Sequence, residues 1–491
     1  MLSDCSDRSR RFAIFMMLTV LLCASSNPIA ADQPNLLIIL ADDMGYGDLG
    51  ATGSVRLATP RLDELRQSGV LCTQAYVTSS VCSPSRAGLM TGRDPRRFGY
   101  QANLNSQPDS YPTRPELLGL PPGEHTLADH FRSGGYRTCL IGKWHLGIGA
   151  EFHPNARGFD WFSGMLTGSH SYFPDPQRNQ LERNGVPISE FSSPYLTDFF
   201  TDESLAWLRQ HDQKYQDQPW FMFLSYNAPH GPLQATEQDL AQFAQIRDNK
   251  RRTYAAMMLA LDRGVGRVLD YLDATGQRNN TLVCFFSDNG GATNNASWNG
   301  PLSGVKGCLR EGGIRVPMIW SWPGHIPAAS SYTNVVSSLD LLPTMLAAAQ
   351  ISALPLAAPR SHEDASNRKR AVARYGEYDG ANLLPVLRGE AAPDGSRTLF
   401  WRLQGQAAIL SGGDKLVRLS HRAPQLFAPG EDVAEQQDRF TQEPDRVAEL
   451  FEQLGEWESL LPTMPLWGSS PYWNGQSAKG YDEYRARPEP E

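Results

Sequence analysis

Four short apolar runs, each followed at once by polar residues and by glycine or proline, constrain the fold of this chain most strongly. They are residues 35–40, 138–141, 220–226 and 281–286, with the sequences NLLIIL, TCLI, WFMFLSY and TLVCFF. Continuous runs that are rich in branched and aromatic residues are typical of strands buried on both faces of a parallel sheet. We therefore predict that all four are strands of one sheet.

Helical patterns separate these runs along the chain. Residues 59–69 begin with Thr59 as a predicted N-cap and Pro60 at the first helical position, and residues 126–135 begin with Thr126 and end in glycine. Residues 254–276 repeat leucine and valine at helical spacing on one face. The alternation of strands and helices indicates an α/β fold with parallel strands.

Polar side chains with catalytic or metal-binding chemistry follow all four runs. In chain order they are Asp42 and Asp43, then Lys143 and His145, then His230, and then Asp288 and Asn289. In open α/β sheets, ligands bind beyond the carboxyl ends of the strands. One such strand end would be unremarkable, but four together predict a single functional site.

The oxygen-bearing residues of this set indicate a metal site. Asp42, Asp43, Asp288 and Asn289 offer carboxylate and amide oxygens, which Ca²⁺ and Mg²⁺ prefer, whereas zinc prefers His or Cys. A pair of aspartates after one strand is more often a solvated turn. Asp288 and Asn289, at the end of another predicted strand, make a metal site the favoured interpretation instead.

Basic residues near these strand ends suit an anionic substrate. Arg86, Lys143 and Lys306 can bind a tetrahedral oxyanion, and His145 and His230 can transfer protons near neutral pH. Any one of them alone is more often an ordinary surface lysine or a satisfied polar residue. Together they favour a site for an anionic substrate.

Cys82 lies in the stretch VCSPSRAGLMTGR, residues 81–93. We predict a helix here with Ser83 as its N-cap, Pro84 in its first turn and Gly92 at its end. Cys82 is then at a helix N-terminus, which favours an anion. The residues alone leave open whether Cys82 is a core thiol, a disulfide partner, a metal ligand or a nucleophile.

Length, charge and the N-terminus set further limits. The chain has 491 residues and a formal net charge of −8 without a long basic run, which argues against nucleic acid as a partner.

Arginines precede the apolar run Phe12–Ala24 and the small-residue stretch SSNPIAA at the N-terminus. This order predicts a signal peptide cleaved after Ala30 or Ala31, export to the periplasm or the medium, and no stable membrane insertion. Of seven cysteines, Cys5 and Cys23 leave with it, so an odd number remains.

The stretch CSPSRAGLMTGR resembles the signature of the type I sulfatases, C-x-P-S-R followed by a short helix and T-G-R. NLLIILADDMGYGD, GKWHLG, APHGP, SDNGG, GPLSGVKG and EGGIRVP resemble further blocks of that family, in the family's order. The resemblance covers essentially the whole mature chain except an insert near 360–375. It is strongest to arylsulfatases and N-acetylgalactosamine-6-sulfatase-like members.

The resemblance implies an alkaline-phosphatase-like mixed sheet sandwiched by helices, with a smaller C-terminal α+β domain containing an antiparallel sheet. We expect a signal peptide at 1–31, a catalytic domain at 32–350, a polar linker or insert at 351–378, and the α+β domain at 379–491. The linker is predicted because its charged sequence lacks a regular apolar period.

The resemblance also implies a mechanism and a maturation step. In the family, a separate formylglycine-generating enzyme oxidises the signature cysteine, here Cys82, to Cα-formylglycine. One hydroxyl of its hydrate attacks sulfur, and the other then expels sulfate and regenerates the aldehyde. The family binds Ca²⁺, which the resemblance favours here over Mg²⁺. The residues at its ligand positions are Asp42, Asp43, Asp288, Asn289 and the modified Cys82.

The other implied roles follow from position in the family's motifs. Arg86 and Lys143 would anchor the hydroxyls of the hydrate, and His145 would act as the base for the second step. His230 would protonate the leaving oxygen, with Lys306 binding sulfate beside it. Ser169 and His170, in GSHSYF, are further candidate substrate contacts.

These expectations predict a sulfuric ester hydrolase that acts on a sulfated carbohydrate, with aryl sulfates as surrogate substrates. Two alternatives stay open at this point. One is a phosphonate or phosphate ester hydrolase of the same superfold. The other is a carbohydrate-binding homologue that has lost catalysis.

Overall fold

The structure is a computed structural model. It describes residues 33–104, 118–175, 180–356, 365–392, 395, 397–420, 422–462 and 479–490. The predicted signal peptide lies outside these residues. Among the described residues, none of the helices combines the length and the apolar character needed to cross a membrane.

Within the described residues, the larger sheet has ten strands. In chain order they are β1 (Asn35–Ala41), β2 (Val70–Tyr76), β3 (Arg137–Lys143), β4 (Trp161–Met165), β5 (Leu181–Arg183), β6 (Val186–Pro187), β7 (Trp220–Ser225), β8 (Thr281–Ser287), β9 (Arg315–Ser321) and β10 (Ser330–Ser337). The smaller sheet contains β11 (Leu399–Leu403), β12 (Gln406–Ser411), β13 (Asp414–Leu419) and β14 (Gln425–Phe427).

The helices lie mainly between these strands. In chain order they are α1 (Pro60–Gln67), α2 (Cys82–Thr91), α3 (Leu127–Ser133), α4 (Leu196–Lys214), α5 (Glu237–Ala241), α6 (Asn249–Ala274), α7 (Glu311–Ile314), α8 (Leu341–Ala349), α9 (Ala365–Tyr375), α10 (Leu384–Leu387) and α11 (Pro444–Ser459).

The four predicted strands lie side by side at the centre of the larger sheet. The strand order is β10-β2-β9-β8-β1-β7-β3-β4-β5-β6. Strand β1 is parallel to both β8 and β7, and β7 is parallel to β3. Strand β9 runs antiparallel to both β2 and β8, so the sheet is mixed. The predicted mixed α/β sheet is therefore confirmed.

Helices cover both faces of the larger sheet because its central strands are apolar on both sides. Along β1, Leu36 and Ile38 pack in one core cluster with residues of α2, α3 and α8. Leu37 and Ile39 pack in a second cluster with residues of α1, α4 and α6. This burial leaves the carboxyl ends of the strands as the polar edge.

Most of the predicted helix ends are also present. Thr59 occupies the N-cap position of α1, although its side chain does not cap a backbone N–H of that helix, and Pro60 is its first residue. Thr126 caps α3 through a 3.1 Å hydrogen bond that its hydroxyl accepts from the Asp129 backbone N–H. Gly92 ends α2 in a left-handed conformation with φ of 62°.

The predicted N-cap of α2 is wrong. The helix begins at Cys82, and the N-cap is Val81, which is extended and makes no side-chain cap. Ser83 lies inside the first turn, where its hydroxyl donates to the His145 carbonyl at 2.7 Å and is 2.6 Å from the Tyr100 hydroxyl. The serine therefore joins the helix to neighbouring loops, and Cys82 is the first helical residue.

The C-terminal part contains the predicted antiparallel sheet. Strands β11 to β14 pair antiparallel throughout. One face packs against α11, and the other face packs against residues of the larger unit that include Tyr76 and Cys308. The segment predicted as a linker contains α9, which sequence patterning missed because alanine and valine are its only apolar residues before Tyr375. The predicted boundaries at 350 and 378 stay a proposal.

Candidate active site

The polar residues after the four central strands meet at one edge of the sheet. The Lys143 ammonium is 2.6 Å from Asp42 Oδ2, which joins the ends of β3 and β1. His230 Nε2, beyond β7, is 3.6 Å from Asp43 Oδ2. The Asp43 backbone N–H donates to Asp288 Oδ1, beyond β8, at 3.2 Å. The parallel register of the strands thus assembles side chains that lie far apart in the chain.

Cys82 lies at the centre of this edge, at the N-terminus of α2. Its Sγ is 3.4 Å from Asp42 Oδ1, 3.6 Å from Asp43 Oδ1 and 3.1 Å from the Lys306 ammonium. Burial, together with the negative charge of Asp288, raises the pKa of the Cys82 thiol well above its ordinary value. This environment therefore favours the protonated thiol of Cys82 over the thiolate.

Arg86 lies one turn further along α2. Its Nε donates to Asp288 Oδ2 at 2.8 Å, and its Nη1 donates to Ser225 Oγ at 2.7 Å and to the Lys143 carbonyl at 3.0 Å. The buried Nη2 has no hydrogen-bond partner in the described part of the chain. Sequence reasoning missed Ser225, although its place as the last residue of β7 was a usable signal.

Lys306 enters the site from a glycine-punctuated loop between β8 and α7. Its Nζ is 2.5 Å and 2.7 Å from the two carboxylate oxygens of Asp43. Burial opposes ionisation of Asp43, but the charges of Lys306, His230 and Lys143 outweigh it and hold the pKa well below its ordinary value. Asp43 is therefore a carboxylate throughout the neutral range.

The four predicted ligands other than Cys82 lie together, and their chemistry fits a hard divalent cation. Asn289 Nδ2 donates to Asp43 Oδ1 at 2.8 Å, while its buried Oδ1 has no partner among the described residues. Burial and the nearby Asp42 carboxylate raise the pKa of Asp288 to about 6, despite Arg86. An unpartnered amide oxygen beside repelling carboxylates is a donor set that Ca²⁺ would satisfy.

A second set of potential ligands overlaps this one. Ligand atoms of Asp42, Asp43, Cys82 and His230 all lie within 4.8 Å of one another. Asp42 and Asp43 belong to both sets. Because the remaining predicted ligands, Asp288 and Asn289, supply oxygen, the all-oxygen set suits Ca²⁺ better than the set with sulfur and nitrogen.

His145 follows β3 in a left-handed backbone conformation, with φ of 61°. Its Nε2 donates to the Leu104 carbonyl at 3.2 Å, which assigns the proton of the neutral ring to that nitrogen. Its buried Nδ1 has no partner within the described ranges. Burial and the charges of Lys143 and Arg86 lower the pKa of His145 well below its ordinary value. His145 thus carries a free lone pair.

In His230 the proton of the neutral ring lies on the other nitrogen, Nδ1. Its Nδ1 donates to the Gly231 carbonyl at 2.6 Å, so Nε2 is the nitrogen that lies 3.6 Å from Asp43. Burial lowers the pKa of His230 to about 4, although the Asp43 carboxylate raises it. A negatively charged substrate at Nε2 would raise the pKa further and favour protonation there.

The predicted substrate contacts lie in a loop that packs on His145. A Cβ built on Gly168 would lie 2.7 Å from both Cε1 and Nε2 of the His145 ring, so only glycine fits this approach. In the same loop, His170 Nδ1 donates to the Ser171 carbonyl at 2.7 Å, and its Nε2 accepts from the Gln180 N–H at 3.4 Å. The roles of Ser169 and His170 stay predictions.

Asn295 is a structural residue of the site that sequence reasoning did not find. Its fully buried amide donates to the Asp43 carbonyl at 3.1 Å and to the Pro229 carbonyl at 3.3 Å. It therefore ties the predicted metal loop to the loop of His230. Its loop contains many polar residues, and no pattern distinguishes this one.

Residues 34–351 match the family model described as Sulfatase. The chain belongs to the sulfatase family. This assignment confirms the predicted family and enzyme class, that of the sulfuric ester hydrolases. Because the match spans both the strand ends and the loop of Lys306, it includes every residue of the site described above.

Relatives of this sulfatase extend over most of the chain. N-acetylgalactosamine-6-sulfatase of Mus musculus is 34% identical over 342 residues, which are 65% of this chain and 63% of that enzyme. The chain thus spans slightly less than two thirds of the mouse enzyme. Arylsulfatase A of Bos taurus is 31% identical over 483 residues, 91% of this chain and 87% of that enzyme.

A solved structure has the same architecture. Ps i-CgsB, crystallised in complex with k-i-k-neocarrahexaose, is 33% identical and superposes with a TM-score of 0.79. The superposition covers 90% of this chain and 96% of the other. This agreement confirms the predicted fold class, including the smaller antiparallel domain.

Proposed function

We propose that this sulfatase hydrolyses sulfate esters of a carbohydrate and that Cys82 is the precursor of a Cα-formylglycine nucleophile. The observation that carries the proposal is the environment of Cys82. Its side chain is buried beside the ammonium of Lys306 and the carboxylates of Asp42 and Asp43, at a helix N-terminus. A protonated thiol has little use there, whereas the polarised oxygens of an aldehyde hydrate would be held by the same groups.

The hydrate would supply two hydroxyls on one carbon, one to attack sulfur and one whose deprotonation releases sulfate. Arg86 and Lys143 support a bound hydrate at position 82, because both are buried and form ion pairs with carboxylates of the site. The unpartnered Nη2 of Arg86 is a donor that a hydroxyl at position 82 can use. We assign these two residues to holding the nucleophile.

Ca²⁺ would be held by Asp42, Asp43, Asp288, Asn289 and the modified residue 82, where it would polarise a sulfate oxygen and stabilise developing negative charge. Lys306 adds a fixed positive charge at the same place, since its ammonium contacts both Asp43 and Cys82. We therefore assign Lys306 to binding the sulfate group.

The two histidines divide the proton transfers. His145 has a buried free lone pair on Nδ1 and a lowered pKa, which suit a base that deprotonates the second hydroxyl. His230 directs Nε2 toward Asp43 and can receive a proton when an anionic ester is bound. We assign His230 to protonating the leaving alcohol oxygen.

The substrate class rests on the relatives. One relative is named N-acetylgalactosamine-6-sulfatase, and Ps i-CgsB was crystallised in complex with k-i-k-neocarrahexaose. Both names favour a sulfated saccharide as the substrate of this chain. Ser169 and His170, in the loop that packs on His145, are proposed to contact the sugar.

Export and maturation complete the proposal. We infer from the predicted signal peptide that the protein acts in the periplasm or the medium, and from the family that a formylglycine-generating enzyme modifies Cys82. The catalytic residues come from residues 32–350, which we propose as the catalytic domain, with 379–491 as the smaller domain.

A screen of sulfated saccharides tests the function. Purified protein, produced together with a formylglycine-generating enzyme, is incubated with galactose-based and glucosamine-based sulfated saccharides, and released sulfate and desulfated product are quantified by ion chromatography and mass spectrometry. We expect release of sulfate with an intact sugar chain. Cleavage of the sugar chain without release of sulfate would contradict the proposal.

A further inference from the structure

We propose that Gln406, Lys415 and Glu435 of the smaller domain are positioning residues for Lys306. The inference rests on the proposed function, because it concerns the sulfate-binding role of that lysine. The Lys306 loop, residues 303–311, connects the two domains through side-chain bonds.

Glu435 closes the base of the Lys306 loop. Its Oε2 accepts a hydrogen bond from Ser303 Oγ at 2.9 Å and another from the Glu311 backbone N–H at 2.8 Å. One carboxylate oxygen thus joins the first and last residues of the loop. Glu435 itself has a left-handed backbone with φ of 50°, a conformation that surrounding contacts must maintain in a residue other than glycine.

Lys415 holds the Glu435 carboxylate in place. Its Nζ is 3.0 Å from Glu435 Oε1 and 2.7 Å from Glu311 Oε1, and the three side chains have no exposed surface. Glu311 Oε2 also accepts a hydrogen bond from the Tyr76 hydroxyl at 2.7 Å. Because buried charges need partners, this ion cluster holds the loop base against both domains.

Gln406 holds the middle of the loop. Its Nε2 donates to the carbonyl of Gly307, the residue after Lys306, at 2.9 Å. Its Oε1 accepts from the Tyr481 hydroxyl at 2.7 Å, and that hydroxyl accepts from the Leu309 N–H at 3.0 Å. These bonds lie after Lys306 in the chain and the Glu435 bond to Ser303 lies before it, so the smaller domain contacts the loop on both sides of the lysine.

Such anchoring matters because the position of the Lys306 ammonium depends on its loop. Gly304 and Gly307 both have left-handed backbone conformations, with φ of 86° and 91°, and the loop contains no strand. Displacing a charged group by about 1 Å at a reaction centre can cost about 100-fold in rate. The anchors are therefore expected to affect catalysis through Lys306 without touching substrate.

A double-mutant cycle tests this role. Gln406→Leu, Lys306→Ala and the double variant are compared by kcat/KM on an activated aryl sulfate, which keeps the slowest variant measurable. Lys415→Met would leave the buried carboxylates of Glu311 and Glu435 without their cation, and such a variant can fail to fold. Gln406→Leu is chosen instead because it removes no charge. Leu416→Ala is the matched control, since this fully buried neighbour of Lys415 packs toward α11.

If Gln406 acts through Lys306, Gln406→Leu lowers kcat/KM by about 10-fold to 100-fold in the wild-type background and by less than about 3-fold in the Lys306→Ala background. Leu416→Ala should lower the thermal midpoint and leave kcat/KM within about 3-fold of wild type. Equal losses from Gln406→Leu in both backgrounds would overturn the positioning role. Absence of sulfate release by the wild type would instead overturn the proposed function.

Discussion

The ammonium of Lys306 lies 3.1 Å from Cys82 Sγ and 2.5 Å from Asp43 Oδ1. One lysine therefore joins the predicted nucleophile precursor to the predicted metal ligands. The contact brings together a helix N-terminus, the end of the central strand and a loop that the smaller domain holds. It explains how a sulfate group could meet the nucleophile and positive charge at the same position.

The role of His230 predicts a dependence on the leaving group. His230→Gln should lower kcat/KM by about 100-fold or more on a sulfated saccharide, whose alkoxide leaving group needs a proton. The loss on nitrophenyl sulfate should be less than about 10-fold, because its phenolate leaves without one. Steady-state kinetics on both substrates measure the ratio. Equal losses on the two substrates would show that His230 does not protonate the leaving oxygen.

The donor set predicts stabilisation by calcium. Protein treated with a chelator should lose activity and regain it with Ca²⁺, and less with Mg²⁺. At 100 times the dissociation constant, Ca²⁺ should raise the free energy of unfolding by about 2.7 kcal/mol. Asp288→Asn should largely remove this increment in calorimetric unfolding curves.

The control for this prediction is Asp340→Asn. Asp340 is also buried and accepts hydrogen bonds from the Ser337 and Ala381 backbone N–H groups, outside the site. This variant should be less stable than the wild type but should keep the full calcium increment. If Asp288→Asn keeps the increment as well, Asp288 is not a ligand.

Sequence patterning predicted the elements whose environment is set by local periodicity. The four central strands are continuous apolar runs, and their polar ends meet because parallel register brings them to one edge. The candidate site residues that follow strands were therefore accessible to sequence reasoning. Lys306 was accessible only through its glycine-rich loop and the family resemblance, since the loop is held by hydrogen bonds to residues that are distant in sequence.

The wrong N-cap prediction at Ser83 and the failure to predict Asn295 and Ser225 have physical causes as well. Ser83 has the sequence signature of an N-cap, but its hydroxyl bonds to the His145 carbonyl and Tyr100 instead. Asn295 donates to the Asp43 carbonyl, and Ser225 accepts from Arg86 in α2, so both side chains bond to partners that are distant in sequence. Such bonds depend on tertiary structure and leave no periodic trace in the chain.

A histidine far from the site predicts how stability depends on pH. His130 in α3 is buried, and its Nδ1 accepts from the Leu354 N–H at 3.0 Å. Burial, together with His125, lowers its pKa from 6.5 to about 4. Its stabilising contribution should be complete above pH 6.5 and lost as the pH falls toward 4, by up to about 3 kcal/mol.

The comparison variant is His130→Gln, whose amide oxygen can accept the same hydrogen bond but does not titrate. Urea unfolding of both proteins between pH 4 and pH 7.5 gives the difference in stability. The stability of the wild type relative to the variant should fall as the pH decreases from about 6.5 to 4. A difference that is constant across this range would contradict the assignment.

Mass spectrometry tests the proposed modification. When the protein is produced with a formylglycine-generating enzyme, the proteolytic peptide that contains Cys82 should lose mass relative to the thiol form and react with a hydrazide. When that enzyme is absent, the peptide should keep the thiol and the protein should lack sulfatase activity. Full activity in a sample whose Cys82 is entirely unmodified would show that the aldehyde is not required.

The most direct test compares wild type and Cys82→Ala in parallel assays with an aryl sulfate and an aryl phosphonate. We predict that the wild type prefers the sulfate and that Cys82→Ala lowers its kcat by at least about 1,000-fold. The thermal midpoint should change little, because the substitution removes only the small group on Cβ of residue 82 and no large apolar side chain. Substantial turnover by the variant, or much faster hydrolysis of the phosphonate by the wild type, would contradict the assignment of Cys82 and of the substrate.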